Sequence, residues 1–240
     1  MKLEPSRIGL ALVAVLVLMS ARTPAAPADD RDKKIQEAAD QSAAAAKAFD
    51  AIMQVPDQAI PRDLLARAKA VAVFPRVVKV AVSVGAEGGR GVVSRRIDAG
   101  WGPPVFLRGF GASVGAQIGA SSTDYFLLLM NDESVEGLMK DKFELGGEAA
   151  VAAGPVGRNA GAGTDALMHA EILSYSRSRG VFAGVNVKGV VLKPEDDLNV
   201  AVYNRKAREL LGDQANTSSR PSDQLNAFPL ALGRYVTSSK

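Results

Sequence analysis

Between Lys33 and Met53 the apolar and small residues Ile35, Ala38, Ala39, Ser42, Ala45, Ala46, Phe49, Ile52 and Met53 recur at intervals of three and four. That spacing paints one stripe along an alanine-rich helix over 33–53. Pro56 and Pro61 break it, and a short second helix is predicted over Asp63–Lys69. The period then changes. Val78, Val80, Val82 and Val84 alternate with Lys79, Ala81, Ser83 and Gly85, as a strand covered on one face requires. The odd positions Val181, Ala183, Val185, Val187 and Val191 repeat that alternation, and Ser176–Gly180 reads as the hairpin connection from a strand over Ala166–Tyr175. A short helix is expected around Glu133–Met139 with Asn131 or Asp132 as its N-cap. A final helix is expected over Leu198–Leu211, ended by Gly212, with a polar tail over 213–240.

Of the 23 glycines, 20 fall between Gly85 and Gly189, many inside the expected strands. Glycine there marks bends, bulges or close backbone approach. The predicted fold is therefore α+β: a Gly-rich, mainly antiparallel, curved or barrel-like sheet packed with N- and C-terminal helices. Gly85–Gly91 has the look of a phosphate-cradling loop but lacks the Gly-Lys-Ser/Thr ending, so it reads as a turn between strands.

The ends and the charge refine this picture. Lys2 and Arg7 precede an uncharged run from Ile8 to Met19, and Ala26-Pro27-Ala28 follows, which is the layout of a signal peptide over 1–28. The run is shorter than the roughly 20 residues a membrane-spanning helix needs. Cleavage is expected after Ala28, with Ala25 the alternative, leaving a periplasmic or secreted domain over 29–212 that can associate peripherally with a membrane. The chain has no cysteine, so its core must hold without disulfides, which a chain of this size can do. Residues 29–61 hold 4 basic and 7 acidic side chains, residues 62–108 hold 9 and 3, and residues 109–240 hold 13 and 15. A positive block inside a nearly neutral chain points to an electropositive face for an anionic partner. Export, the near-neutral total and the absence of aromatic interleaving argue against nucleic acid.

Several unusual strings occur in order: Val73-Phe-Pro75, Gly85-Ala-Glu-Gly-Gly-Arg-Gly91, Trp101-Gly-Pro-Pro104, Gly115-Ala-Gln-Ile-Gly119, Gly154-Pro-Val-Gly-Arg158, Ser174-Tyr-Ser-Arg-Ser-Arg-Gly180 and Phe182-Ala-Gly184. Together they resemble the SYLF domain, also known as a yeast-type actin-binding domain, over roughly Ile60–Leu211. The resemblance implies a lipid-binding module without known catalytic chemistry, whose eukaryotic members recognise phosphoinositides and in some cases actin. For an exported bacterial branch the transferable ligand is anionic phospholipid, and export argues against actin as a partner. The chain departs from the pattern at Gly102, where relatives commonly carry serine, and at Asn204, where they often carry glycine.

The positive block comprises Arg62, Arg67, Lys69, Arg76, Lys79, Arg90, Arg95, Arg96 and Arg108. The expected phosphate contacts among them are Arg62, Arg67, Lys69, Arg76 and Lys79, since each basic residue near an anionic membrane contributes about 1 kcal/mol. Arg177 and Arg179, beside Ser174, Ser176 and Ser178, and Arg158 after a Gly-Pro-Val-Gly turn are further candidates. On the first helix Lys33, Lys34, Lys47, Phe49 and Met53 could meet a bilayer surface. Burial of Phe49 and Met53 against the sheet is the expected resting state, because each large apolar side chain so buried gains roughly 1.5–3 kcal/mol. His169 is the only histidine and lies beside Glu171 with Asp165 nearby, but no Gly-x-Ser-x-Gly elbow accompanies it. Hydrolysis therefore ranks third, behind lipid binding and an envelope protein-interaction or scaffold role. One histidine and no cysteine supply no metal set, and no cofactor is implied.

Overall fold

The computed structural model describes residues 27–55, 59–82, 84–114, 119–157, 169–178, 180–212 and 222–236. Helix α1 (Pro27–Met53) and the short α2 (Arg62–Arg67) lead into the long strands β1 (Ala70–Val82) and β2 (Val84–Ile97). After β3 (Gly100–Trp101) come β4 (Val105–Val114) and β5 (Gly119–Leu129), then α3 (Asp132–Gly137), β6 (Phe143–Glu144), β7 (Val151–Ala153), β8 (Ile172–Ser178), β9 (Val181–Gly184) and β10 (Val191–Pro194). Helices α4 (Asp196–Tyr203), α5 (Ala207–Leu211) and α6 (Ala227–Val236) complete the described chain. The strands form one strongly curled half-barrel in the order β6-β10-β4-β2-β1-β5-β8-β7, with β3 paired to β2 and β9 to β8. Every pairing among these strands is antiparallel except β7 with β8. The α+β class and the curved sheet agree with the sequence reading.

Half of this sheet is buried on both faces. Val71, Val73, Val92, Phe106, Phe126, Leu128 and Tyr175 point into a first core under α1 and α6. Their neighbours Ala72, Phe74, Val93, Leu107, Leu127 and Leu129 point into a second core under α3 and α5. Double coverage explains why Val71–Phe74 is continuously apolar rather than alternating. A bulge at Pro75–Arg76, where Arg76 takes a φ of 54°, interrupts the pairing of β1 with both neighbours.

Glycine makes room for the rings that fill these cores. Phe74 lies across Gly91 of β2 and Gly109 of β4, and a methyl group on Gly91 would overlap its ring. Gly154 stands in the same relation to Tyr175. The string Gly85–Gly91 is therefore strand rather than a turn, and Gly89 and Gly91 within it serve close packing against Val77 and Phe74.

Helix α1 docks through the predicted stripe. Its alanines allow close approach, Gln41 donates to the Gly91 carbonyl at 2.9 Å, and Ser42 donates to the Leu225 carbonyl at 2.7 Å. Phe49 meets Phe228 and Tyr235 edge-on, with ring centroids 6.3 and 5.7 Å apart. The stretch beyond residue 212 is thus not a polar tail throughout, because Leu225, Phe228, Ala231 and Leu232 are buried in the first core. Pro229 is tolerated in the first turn of α6, where its missing N–H has no helical partner in any case.

Three further boundaries differ from expectation. The helix expected over Leu198–Leu211 is two helices, because Asn204 caps α4 in the left-handed region (φ 55°, ψ 30°). Asparagine tolerates that conformation better than other non-glycine residues, so the turn closes here without a glycine. The run Val181–Val191 is not one strand: β9 ends at Gly184 and β10 begins at Val191. The β8–β9 hairpin closes between Ser178 and Val181, tighter than the five-residue connection expected, and β8 starts at Ile172 rather than Ala166. By contrast, Asn131 caps α3 as expected, accepting from the Ser134 N–H at 3.0 Å.

Two stability outcomes follow. Gly91→Ala should lower stability by about 1–3 kcal/mol through overpacking against Phe74. Leu232→Ala should cost about 2–4 kcal/mol, as for a buried leucine; a substitution in a solvated tail would cost nothing. Chemical denaturation of each variant measures both.

Candidate functional site

The first face of the sheet, the one α1 covers, carries a cross-strand row of cations at the edge of the helix's footprint. Lys193 of β10 pairs in register with Arg108 of β4, and Arg108 with Arg90 of β2. Next along the row is the β1 bulge with Arg76, whose backbone N–H donates to Asp124 of β5 at 2.8 Å. Asp124 in turn pairs with Arg177 of β8. Five cations from five strands therefore stand in one line, a placement that only the sheet topology creates.

Carboxylates partly occupy it. Glu195, just before α4, is 4% exposed and sits beneath the row. It accepts from Arg108 Nε at 2.8 Å and from Arg108 Nη2, and it lies 3.2 Å from Arg90 Nε. Hydrogen bonding to Glu195 holds the Arg108 guanidinium above its ordinary pKa. Glu37 of α1 also pairs with Arg90. The Arg90 and Arg108 side chains nevertheless remain 43% and 44% exposed, so N–H groups stay available to an incoming anion. Lys193 and Arg76 are exposed and Arg177 is half-buried.

The remaining basic block does different work, and its members do not share one face. Arg96 donates to the Leu65 and Ala68 carbonyls at 2.8 and 3.0 Å and stacks on Trp101 at 4.2 Å, which fixes α2 to the sheet. Arg95 and Lys69 both meet Asp132, at 3.2 and 3.3 Å. Arg62 and Arg67 are exposed on α2, but they lie at the start of β1, about 30 Å from Lys79 by strand rise. Lys79 itself alternates onto the second face, opposite Glu87. Strand period and bulge, not closeness in sequence, decide which cations meet. Arg158 and Arg179 lie outside the described residues.

On α1, Phe49 and Met53 are 0% and 5% exposed and belong to the first core, so the docked helix shows no apolar face to a bilayer. Lys33 and Lys47 are exposed, and Lys34 lies 3.1 Å from Asp30. Sequence reasoning passed over Lys193 and left Arg90 and Arg108 out of its chosen contacts; alternation within each strand was the available signal, but the cross-strand register was not.

The second face holds an apolar cavity of about 30 Å³ between Phe74, Val77, Tyr125, Leu127 and Leu192, space for no more than a solvent molecule or two. Burial pushes the Tyr125 hydroxyl up to about 12, and it lies 3.5 Å from Glu87. His169 is exposed ahead of β8, and Glu171 accepts from the Ala150 N–H at 2.8 Å, a structural role. Among the described residues no group of three or more His, Asp or Glu side chains could hold a metal ion. No described helix is long and apolar enough to cross a membrane.

Comparison with known proteins gives this surface a context. Residues 110–229 match the family model described as Ysc84, Las17-binding protein actin regulator. The chain is 35% identical over 163 residues to human SH3 domain-containing YSC84-like protein 1, covering 66% of this chain and 47% of that protein. It is 36% identical over 163 residues to an SH3 domain-containing protein of Schizosaccharomyces pombe, covering 65% and 38%. It is 34% identical over 151 residues to LAS seventeen-binding protein 3 of Saccharomyces cerevisiae, covering 61% and 33%. The chain thus spans less than half the length of these relatives. The argument from export against actin is overturned by the family's description as an actin regulator and by relatives named for binding LAS seventeen. From the match across half its length and these identities, the chain belongs to the Ysc84 family, the SYLF domain.

Proposed function

We propose that this domain is a non-catalytic module that binds an anionic phospholipid surface through the row Lys193, Arg108, Arg90, Arg76 and Arg177. The observation that carries the reading is the register that lines these cations up on the sheet's first face, against the three carboxylates Asp124, Glu195 and Glu37. Guanidinium groups suit this role, since their fork of donors matches phosphate oxygens. The names of the relatives support a second reading, in which the same row meets an acidic protein surface of the actin-regulatory machinery. Export remains part of the proposal: processing after Ala28 would leave α1 intact apart from its first two residues.

Vesicles of graded phosphatidylglycerol content test the first reading. Pelleting of residues 29–240 should rise with anionic fraction and fall with salt, because surface charges are screened beyond about 8–10 Å at physiological ionic strength. Combined Arg76→Asn, Lys193→Thr and Arg177→Thr should remove about 3 kcal/mol at 1 kcal/mol per cation, roughly a hundredfold in affinity. Asparagine keeps the left-handed backbone at position 76. Equal loss from Arg62→Ser with Arg67→Ser would move the site to α2. Glu37→Gln should tighten binding about two- to fivefold by removing a competitor from Arg90, in keeping with an exposed pair worth up to about 1 kcal/mol. Pelleting with actin filaments and not with vesicles would select the second reading. The mass of the mature protein checks the cleavage site.

A further inference from the structure

Resting on the anionic-surface reading, we infer that the end of the half-barrel that the described helices leave uncovered, and not α1, enters the bilayer interface, with Val78 and Phe110 as its apolar contacts. One register step beyond the cationic row, toward the strand ends, Val191, Phe110, Gly88, Val78 and Ser122 are cross-strand neighbours on five adjacent strands. They lie on the same face as α1 but past its cover. Val78 is 50% exposed and Phe110 46%, the exposed large apolar side chains of β1 and β4 among the described residues. Gly88 stands between them, and the Phe110 ring lies 3.5 Å from where a Cβ on Gly88 would sit. The ring thus leans over the glycine and joins Val78 in one apolar strip.

The strip's surroundings select the occupant. Cations stand about 7 Å behind it, two residues back along β10, β4, β2 and β1, while on β5 that position is Asp124, which pairs in register with Arg177 of β8. Apolar side chains just ahead of basic ones match the boundary between acyl chains and phosphates. From the strip outward the sequence is uncharged: no Asp, Glu, Lys or Arg occurs in 80–86 or in 109–123. Helix α1 has no comparable surface to give, since Phe49, Ile52 and Met53 are 0%, 2% and 5% exposed against the sheet and α6. An apolar strip on a soluble surface that is rimmed by charge marks an interaction site, and the cationic rim commits it to an anionic bilayer.

The absence of cysteine allows site-specific labelling. Val78→Cys, Phe110→Cys and, on α1, Ala51→Cys would each carry an environment-sensitive fluorophore and be mixed with vesicles of phosphatidylglycerol and phosphatidylcholine. Labels at 78 and 110 should shift to the blue and be quenched by acyl-brominated lipid, while the label at 51 should not change. Val78→Glu with Phe110→Glu should weaken pelleting at least tenfold with an unchanged melting transition, because both side chains are already half in water. Vesicle binding with labels 78 and 110 left in water, or with label 51 shifted, overturns the inference and leaves the anionic-surface reading standing. A shift at 78 and 110 that grows with protein concentration in the absence of vesicles assigns the strip to a second copy and overturns it as well. A shift produced by actin filaments alone assigns it to a protein partner with the same result. Failure to pellet at any anionic content removes both proposals together.

Discussion

The structure depends on one sheet whose long strands the described helices cover along only part of their length. Where coverage is double, both faces of β1 are packed, and no polar side chain of β1 interrupts the run Ala70–Phe74. Where it stops, the same strands must meet water or a partner with whatever residues alternate onto each face. The boundary between these regimes is where the cationic row stands, since a long basic side chain can lay its stem on the covered part and its head beyond it.

Charge in this molecule divides into two kinds of work. At the covered end Arg95, Arg96 and Lys69 hold helices to the sheet through backbone carbonyls and Asp132, a structural use that composition cannot distinguish from a binding use. At the boundary Arg90 and Arg108 share the buried Glu195, and the local balance stays positive. A count of basic residues along the chain merges these populations.

Much of the fold was legible because local periods were honest. The stripe from Ile35 to Met53 predicted both α1 and the face it buries, and the alternation after Phe74 gave β1. Asn131 was readable as a cap because its side chain acts within three residues. What was not legible needed partners distant in sequence. Helix α6 has Phe228, Leu232 and Tyr235 at helical spacing, with Leu225 in the turn ahead of it, yet the polar residues before it and Pro229 and Gly233 within it mask the signal until α1 supplies the surface they fill. Gly91 looked like turn chemistry because nothing nearby in the chain reveals Phe74 lying across it. The candidate site was the least legible part, because its residues come from five strands whose register the sequence does not print.

The bulge at Pro75–Arg76 has a consequence for how this chain can change length. Phe74 and Val77 both point into the second core although three positions separate them, so the irregularity restores the phase of everything downstream. Losing one residue there would turn Val77 outward and Lys79 toward the first face, exchanging the interior and exterior of the strand's whole distal half. Length variation in this family should therefore gather in connections between strands and spare this point, where a single inserted peptide unit acts as the gear that keeps two halves of a strand meshed with different neighbours.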